Sequence, residues 1–227
     1  AGAARRGDAG PADEARAPEH ERAAVKVALM DYGAGNLPSV ERAFGRLGVT
    51  TERCRSSEEI RGAQAIVLPG VGHFATLAKA LDALDLRRPL KEALTGGTPF
   101  LGICLGMQAL WEGSAEAPDE RGLGVDAGRV EALPSSVKLP HMGWNDVRRV
   151  GSGATNLLRG IPDGTRFYFA HAFAVPAPGS HATGVCDYGI SFVAVREEGS
   201  VMGVQFHPEK SGDVGLRLLR NFVEAAG

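Results

Sequence analysis

One cysteine sits between two glycines, Gly102-Ile103-Cys104-Leu105-Gly106, after the apolar run Pro99–Ile103 and before a helical pattern running from Leu105 to about Trp111. A G-x-nucleophile-x-G turn lifts its central side chain out at the carboxyl edge of a sheet, through a bend that leaves no room for a neighbouring Cβ. The helix that follows points its N-terminus at the sulfur and favours thiolate, and the Leu105 N–H is placed to donate to an oxyanion. Cys54 and Cys186 lack this setting and read as small buried hydrophobes. Three cysteines, far apart, form no disulfide framework, and without CxxC spacing or paired histidines no metal site is expected.

A nucleophilic cysteine needs a base, and the base needs an orienting group. VMGVQFHPE, residues 201–209, offers both at the end of a strand. His207 and Glu209 are two apart in an extended segment stiffened by Pro208, so they project to one side and Glu209 can hold the imidazole tautomer. Residues 68–73, LPGVGH, follow another buried strand, and glycines on either side of Val71 let that backbone turn and present N–H groups to a charged oxygen. Val71 is therefore the second candidate oxyanion donor. Of the remaining histidines, His20 lies in the leading segment, His73 begins a helix and His181 falls in a loop without a partner; His141 and His171 are assigned to binding.

These groups require a sheet to position them. Val25–Met30, Val49–Arg53, Ala65–Leu68 and Pro99–Ile103 read as strands, with helices at Pro38–Leu47, Thr76–Leu84 and Arg88–Leu94 between them. Such alternation predicts an α/β fold with a mainly parallel central sheet flanked by helices. The second half carries strand candidates at Arg129–Leu133, Trp144–Val150, Arg166–Phe173, Ala182–Cys186, Phe192–Arg196 and Val201–Phe206, several separated by short turns such as DYG and EEG. Antiparallel additions to the parallel core are expected there, closed by a helix over about Val214–Glu224. Residues 1–24 show no hydrophobic periodicity and read as a disordered extension, leaving 25–227 as one domain.

Composition narrows the class. Of 227 residues 44% are hydrophobic and 23% charged, as in ordinary globular proteins. A net charge of -2 gives no electrostatic footprint for nucleic acid or anionic membrane. No apolar run reaches the roughly 18 residues of a membrane span, and residues 1–24 lack the apolar stretch of a secretory signal. A cytoplasmic, reduced location is the expectation.

The elbow around Cys104 and the distal His207-Pro208-Glu209 together resemble the triad (class I) glutamine amidotransferases. Six segments in order sharpen the likeness: YGAGNLPSV (32–40), PGVGHF (69–74), GICLGMQ (102–108), PHMGWN (140–145), YFAHAF (168–173) and VQFHPEKSG (204–212). This series, spanning roughly Val25 to the C-terminus, is similar to the glutaminase subunits of imidazole glycerol phosphate synthase. The resemblance implies that Cys104 attacks the amide of glutamine, that His207 moves the proton under the direction of Glu209, and that Val71 and Leu105 form the oxyanion hole. It implies substrate binding by Gly70, Gly72, Gln108, His171, Ala172 and Phe173. It further implies a face of Asn36, Trp144, Tyr168 and Lys210 turned toward a separate cyclase subunit, a (β/α)8 barrel that receives the ammonia in a heterodimer. No cofactor is implied. In the family the stretch written here as His171-Ala172-Phe173 normally carries a hydroxyl residue and then Tyr, so side-chain hydroxyl contacts to glutamine are lost and backbone contacts are kept.

The residues alone leave rival readings. The chain has no room for an acceptor-binding synthase domain, which favours transfer of ammonia to another polypeptide. Trp144 in its Gly-Trp-Asn segment fits either an exposed interface anchor or a core position. A subunit serving a different synthase, a stand-alone cysteine hydrolase and a non-catalytic module on the same fold are the alternatives.

Overall fold

The computed structural model describes residues 25–151, 155–179 and 181–227. The expected disordered extension, residues 1–24, lies outside the described residues. In chain order the elements are β1 (Val27–Met30), α1 (Leu37–Gly45), β2 (Thr51–Cys54), α2 (Ser57–Arg61), β3 (Ala65–Gly70), α3 (Phe74–Ala83), α4 (Arg87–Thr95), β4 (Phe100–Cys104) and α5 (Leu105–Gln108). They continue with β5 (Trp111–Ser114), β6 (Ala117–Arg121), β7 (Asp126–Ala132), β8 (His141–Arg149), β9 (Thr165–His171), β10 (Phe173–Ala174), β11 (Ala182–Tyr188), β12 (Ile190–Glu198) and β13 (Val201–Val204), then a 3-10 turn (Pro208–Lys210) and α6 (Gly212–Ala226).

A nine-stranded sheet runs β2-β1-β3-β4-β13-β12-β11-β8-β9. The first five strands are parallel neighbours and the rest pair antiparallel, so the expected mixed α/β sheet is present. Its central strands β1, β3, β4 and β13 are buried along their whole length, as near-continuous apolar runs covered on both faces must be. Alternate side chains feed two cores. Val27, Leu29, Leu101 and Ile103 meet α1 and α6 through Phe44, Leu218 and Phe222. Ala28, Met30, Ile66 and Leu68 meet α3 and α4 through Phe74, Leu77 and Leu90.

Three readings of the sequence need correction. The helix after Cys104 is a single turn ending at Gln108, and Trp111 instead opens β5. Arg129–Leu133 does not extend the main sheet; it belongs to β7 of a separate four-stranded sheet ordered β10-β7-β5-β6. His181 is not without a partner, since its Nε2 lies 3.2 Å from Glu198 and 3.9 Å from Asp126.

The two sheets are tied by a buried ion pair. Arg196 of β12, fully buried, donates from Nε and Nη2 to the two oxygens of Asp126 on β7 at 2.8 and 2.9 Å. Its guanidinium also reaches Glu198, so the carboxylates around His181 already have a fixed cation between them. Among the described residues no helix is long and apolar enough to cross a membrane.

Candidate active site

The elbow owes its shape to steric exclusion. Cys104 adopts φ 55° and ψ -110°, a left-handed conformation that costs an L-residue energy and here stands its side chain clear of β4. A Cβ on Gly102 would come within 2.6 Å of the Gly106 carbonyl oxygen, and one on Gly106 within 1.8 Å of the Leu68 carbonyl oxygen. Both glycines are therefore required by close backbone approach, as the sequence predicts. Gly70 makes a third such contact, its notional Cβ 2.6 Å from the Gly106 nitrogen. Three backbones thus interlock beneath the sulfur.

The base arrives from the neighbouring strand. β13 pairs with β4 in register, placing Val204 beside Ile103, and the chain continues to His207. His207 is held from the far side: its N–H donates to the Tyr168 carbonyl at 2.8 Å, and the Ser211 hydroxyl donates to its carbonyl at 2.7 Å. Because β9 lies at the far edge of the sheet order, the first of these bonds requires the antiparallel half to curl back over the site.

His207 Nδ1 lies 2.8 Å from Glu209 Oε1, with both side chains almost fully enclosed. The other oxygen of Glu209 is buried without a protein partner, so the hydrogen bonding of this carboxylate is committed to the ring. Burial opposes a charged imidazole, but the Cys104 sulfur and the Glu209 carboxylate outweigh it and push the His207 pKa up to about 10. His207 is thereby kept able to give a proton beside the Cys104 sulfur, an arrangement suited to nucleophilic catalysis.

Cys104 and His207 line a cavity of about 240 Å³ together with Val71, Gly72, Leu105, Gln108, His171, Ala172, Phe173 and Lys210. The expected triad, oxyanion residues and most of the expected substrate residues therefore meet in one place. Gly70 does not line the cavity and lies behind the elbow. Phe173 contributes its carbonyl, which accepts from Gln108 Nε2 at 2.8 Å and lies 2.9 Å from His171 Nδ1. A tyrosine hydroxyl is not needed for either contact. The Ala172 carbonyl accepts from Leu133 N and holds the turn into β10.

The outer rim carries the residues expected to face a partner. Trp144 is 55% exposed, which decides against a core position. Its ring meets Tyr168 edge-on at 6.2 Å, and Lys210 Nζ stands 5.9 Å over the same Tyr168 ring. Asn36 is half-buried at the start of α1, and its side chain makes no capping hydrogen bond there.

Two polar side chains in or behind the cavity escaped the sequence reading. Gln205, fully buried, donates from Nε2 to Cys104 Sγ at 3.5 Å and accepts from Gln108 Nε2 at 3.0 Å. Strand alternation back from His207 is the signal that points to it. Glu116, in the turn between β5 and β6, lines the cavity and accepts from the Phe74 N–H at 2.8 Å. No local pattern marks it.

This fold and site define a glutamine-hydrolysing amidotransferase. The family model "Glutamine amidotransferase class-I" matches residues 28–226, and the chain belongs to that family. It is 45% identical to "Imidazole glycerol phosphate synthase subunit HisH" of Moorella thermoacetica, over 87% of this chain and 94% of the relative. The protein of the same description from Rhodopirellula baltica is 44% identical, over 88% of this chain and 97% of its own. Similar solved structures include "Structure of PurLQS from Thermotoga maritima", with a TM-score of 0.69 at 19% identity, covering 88% of this chain and 98% of that one. Another is "Crystal structure of glutamine amidotransferase", with a TM-score of 0.68 at 22% identity and the same two coverages.

Proposed function

We propose that this chain is the glutaminase subunit of imidazole glycerol phosphate synthase, acting in the cytoplasm through residues 25–227. The observation that carries the chemistry is the buried pair of His207 and Glu209 set against Cys104 at the elbow.

The reaction follows from these groups. The Cys104 thiolate adds to the side-chain carbonyl carbon of glutamine, and the oxygen takes the negative charge between the backbone N–H groups of Val71 and Leu105. His207 gives its proton to the departing nitrogen, the C–N bond breaks, and ammonia leaves behind a glutamyl thioester. Water then attacks the thioester, His207 takes its proton, and glutamate and the thiolate are released. Gly72, Gln108 and the stretch His171–Phe173 hold the substrate, with Glu116 placed to pair with its ammonium group. Nucleophile, base and oxyanion donors are all protein groups, so the chemistry asks for no cofactor.

The face of Asn36, Trp144, Tyr168 and Lys210 adjoins this cavity and is the proposed docking surface for a cyclase subunit with a (β/α)8 barrel, which would receive the ammonia. Exposure of Trp144 supports that assignment, because a large aromatic side chain left in solvent is the kind of anchor that interfaces bury.

The test is glutamate release from glutamine by the purified chain, alone and with the cyclase subunit and its nucleotide substrate, with Cys104→Ala as the blank. Weak activity that rises by orders of magnitude in the complex, and is absent from the blank, is the expected result. Full activity without the cyclase would instead identify a stand-alone hydrolase.

A further inference from the structure

A continuous chain of hydrogen bonds connects the strand that bears Trp144 to the nucleophile. Asn145, the next residue on β8, places Nδ2 3.3 Å from His141 Nε2, and His141 Nδ1 lies 3.1 Å from His171 Nε2. His171 Nδ1 lies 2.9 Å from the Phe173 carbonyl, which also accepts from Gln108 Nε2 at 2.8 Å. Gln108 Nε2 donates in addition to Gln205 Oε1 at 3.0 Å, and Gln205 Nε2 donates to Cys104 Sγ at 3.5 Å.

The direction of the bonds made by the two histidines is determined from both ends. The Asn145 amide is oriented by its own partners: Oδ1 accepts from the Asp146 N–H at 2.8 Å, and Nδ2 donates to the Asp187 carbonyl at 3.1 Å. Nδ2 can only donate, so His141 Nε2 accepts and the ring proton sits on Nδ1. His171 Nε2 must then accept, leaving its proton on Nδ1 for the Phe173 carbonyl. That carbonyl can only accept, so the same tautomers follow from the opposite end. Burial lowers the pKa of both rings, to about 4 for His141 and about 3 for His171, so both are neutral as the chain requires.

We infer that His141 is a positioning residue for the nucleophile: with Asn145 it locks His171 as an Nδ1–H donor, which fixes the Phe173 carbonyl and, through Gln108 and Gln205, the Cys104 sulfur. Packing alone is a different role, and the site separates the two. The His141 ring is sandwiched between Tyr188 at 3.9 Å and Phe169 at 4.8 Å, so His141→Phe preserves the stack and removes the donor. His141→Asn does the reverse, because its Nδ2 takes the place of Nδ1 beside His171.

Two measurements test the assignment. The first is the imidazole tautomer of His141 and His171 in the unaltered protein, from nitrogen–proton couplings in ¹⁵N-histidine spectra. Nδ1–H in both rings is expected; Nε2–H in either overturns the proposal and needs no variant. The second is the rate of Cys104 alkylation by iodoacetamide, alongside kcat and KM for glutamine. His141→Phe is expected to lose tenfold or more in alkylation rate and in kcat/KM, whereas His141→Asn stays within about threefold. The opposite ranking, with Phe active and Asn impaired, would show that only packing matters. The kinetic arm rests on the glutaminase reading; the tautomer and alkylation arms do not. Failure of glutamine hydrolysis with the expected tautomers would therefore count against the reaction and leave the positioning role standing.

Discussion

Glu209 shows how a residue that touches no substrate controls one that does. Its single hydrogen bond to His207, together with its charge, helps hold the proton on the ring up to about pH 10. Glu209→Gln keeps the shape and removes the charge, so the His207 pKa falls. Below its pKa the ring is protonated and can give a proton to the leaving nitrogen; above it that proton is gone. The alkaline limb of the kcat/KM profile is therefore expected to move to lower pH, with kcat reduced about 100-fold. A limb that does not move would mean that Glu209 leaves His207 unchanged. The pair was legible from its spacing, but the expected extended geometry is not what joins it: Pro208–Lys210 forms a 3-10 turn, and that turn brings Glu209 back to His207. The elbow glycines were legible for a related reason: only a tight bend explains glycine on both sides of a cysteine. Glu116 was not legible, since it reaches the cavity through a turn whose neighbours carry no chemistry.

At the scale of elements, alternation of strand and helix identified β1 to β4 because parallel crossovers leave a strong apolar period. It failed where polar sequence pairs at an edge. β6, Ala117–Arg121, contains proline and charges, and β5 begins at a tryptophan that the helical pattern had claimed. The one-turn helix α2 left a clear signal that the apolar period does not carry: Ser56 accepts from the Glu59 N–H, and the Glu59 carboxylate accepts from the Ser56 N–H. The junction of β3, β4 and α5 is the least tolerant part of the fold. Gly106→Ala would drive a methyl group into the Leu68 carbonyl, a backbone atom that cannot step aside. A loss of roughly 3 kcal/mol or more is expected in urea denaturation. Retention of full stability would show that β3 and α5 can separate.

The whole molecule depends on an ion pair that crosses between its sheets. Arg196→Met leaves the Asp126 carboxylate buried beside no guanidinium, and breaking such a pair costs on the order of 3–5 kcal/mol. The double change Arg196→Met with Asp126→Leu removes both charges and is expected to recover a large part of that loss, measured by the same denaturation midpoint. A double variant as unstable as the single one would mean that the guanidinium acts through its hydrogen bond to the Val201 carbonyl instead. This pair was beyond the reach of the sequence, because Asp126 and Arg196 are 70 residues apart and neither belongs to a motif.

The place of β13 has a consequence for synthesis. It follows every other described strand along the chain, yet it is inserted in the middle of the sheet, between β4 and β12. A nascent polypeptide that has reached only residue 200 holds a parallel half and an antiparallel half with no strand to join them, and its thiol has no base. Completion of the sheet and arrival of the base are thus tied to one short segment, and a chain cut before residue 201 lacks both.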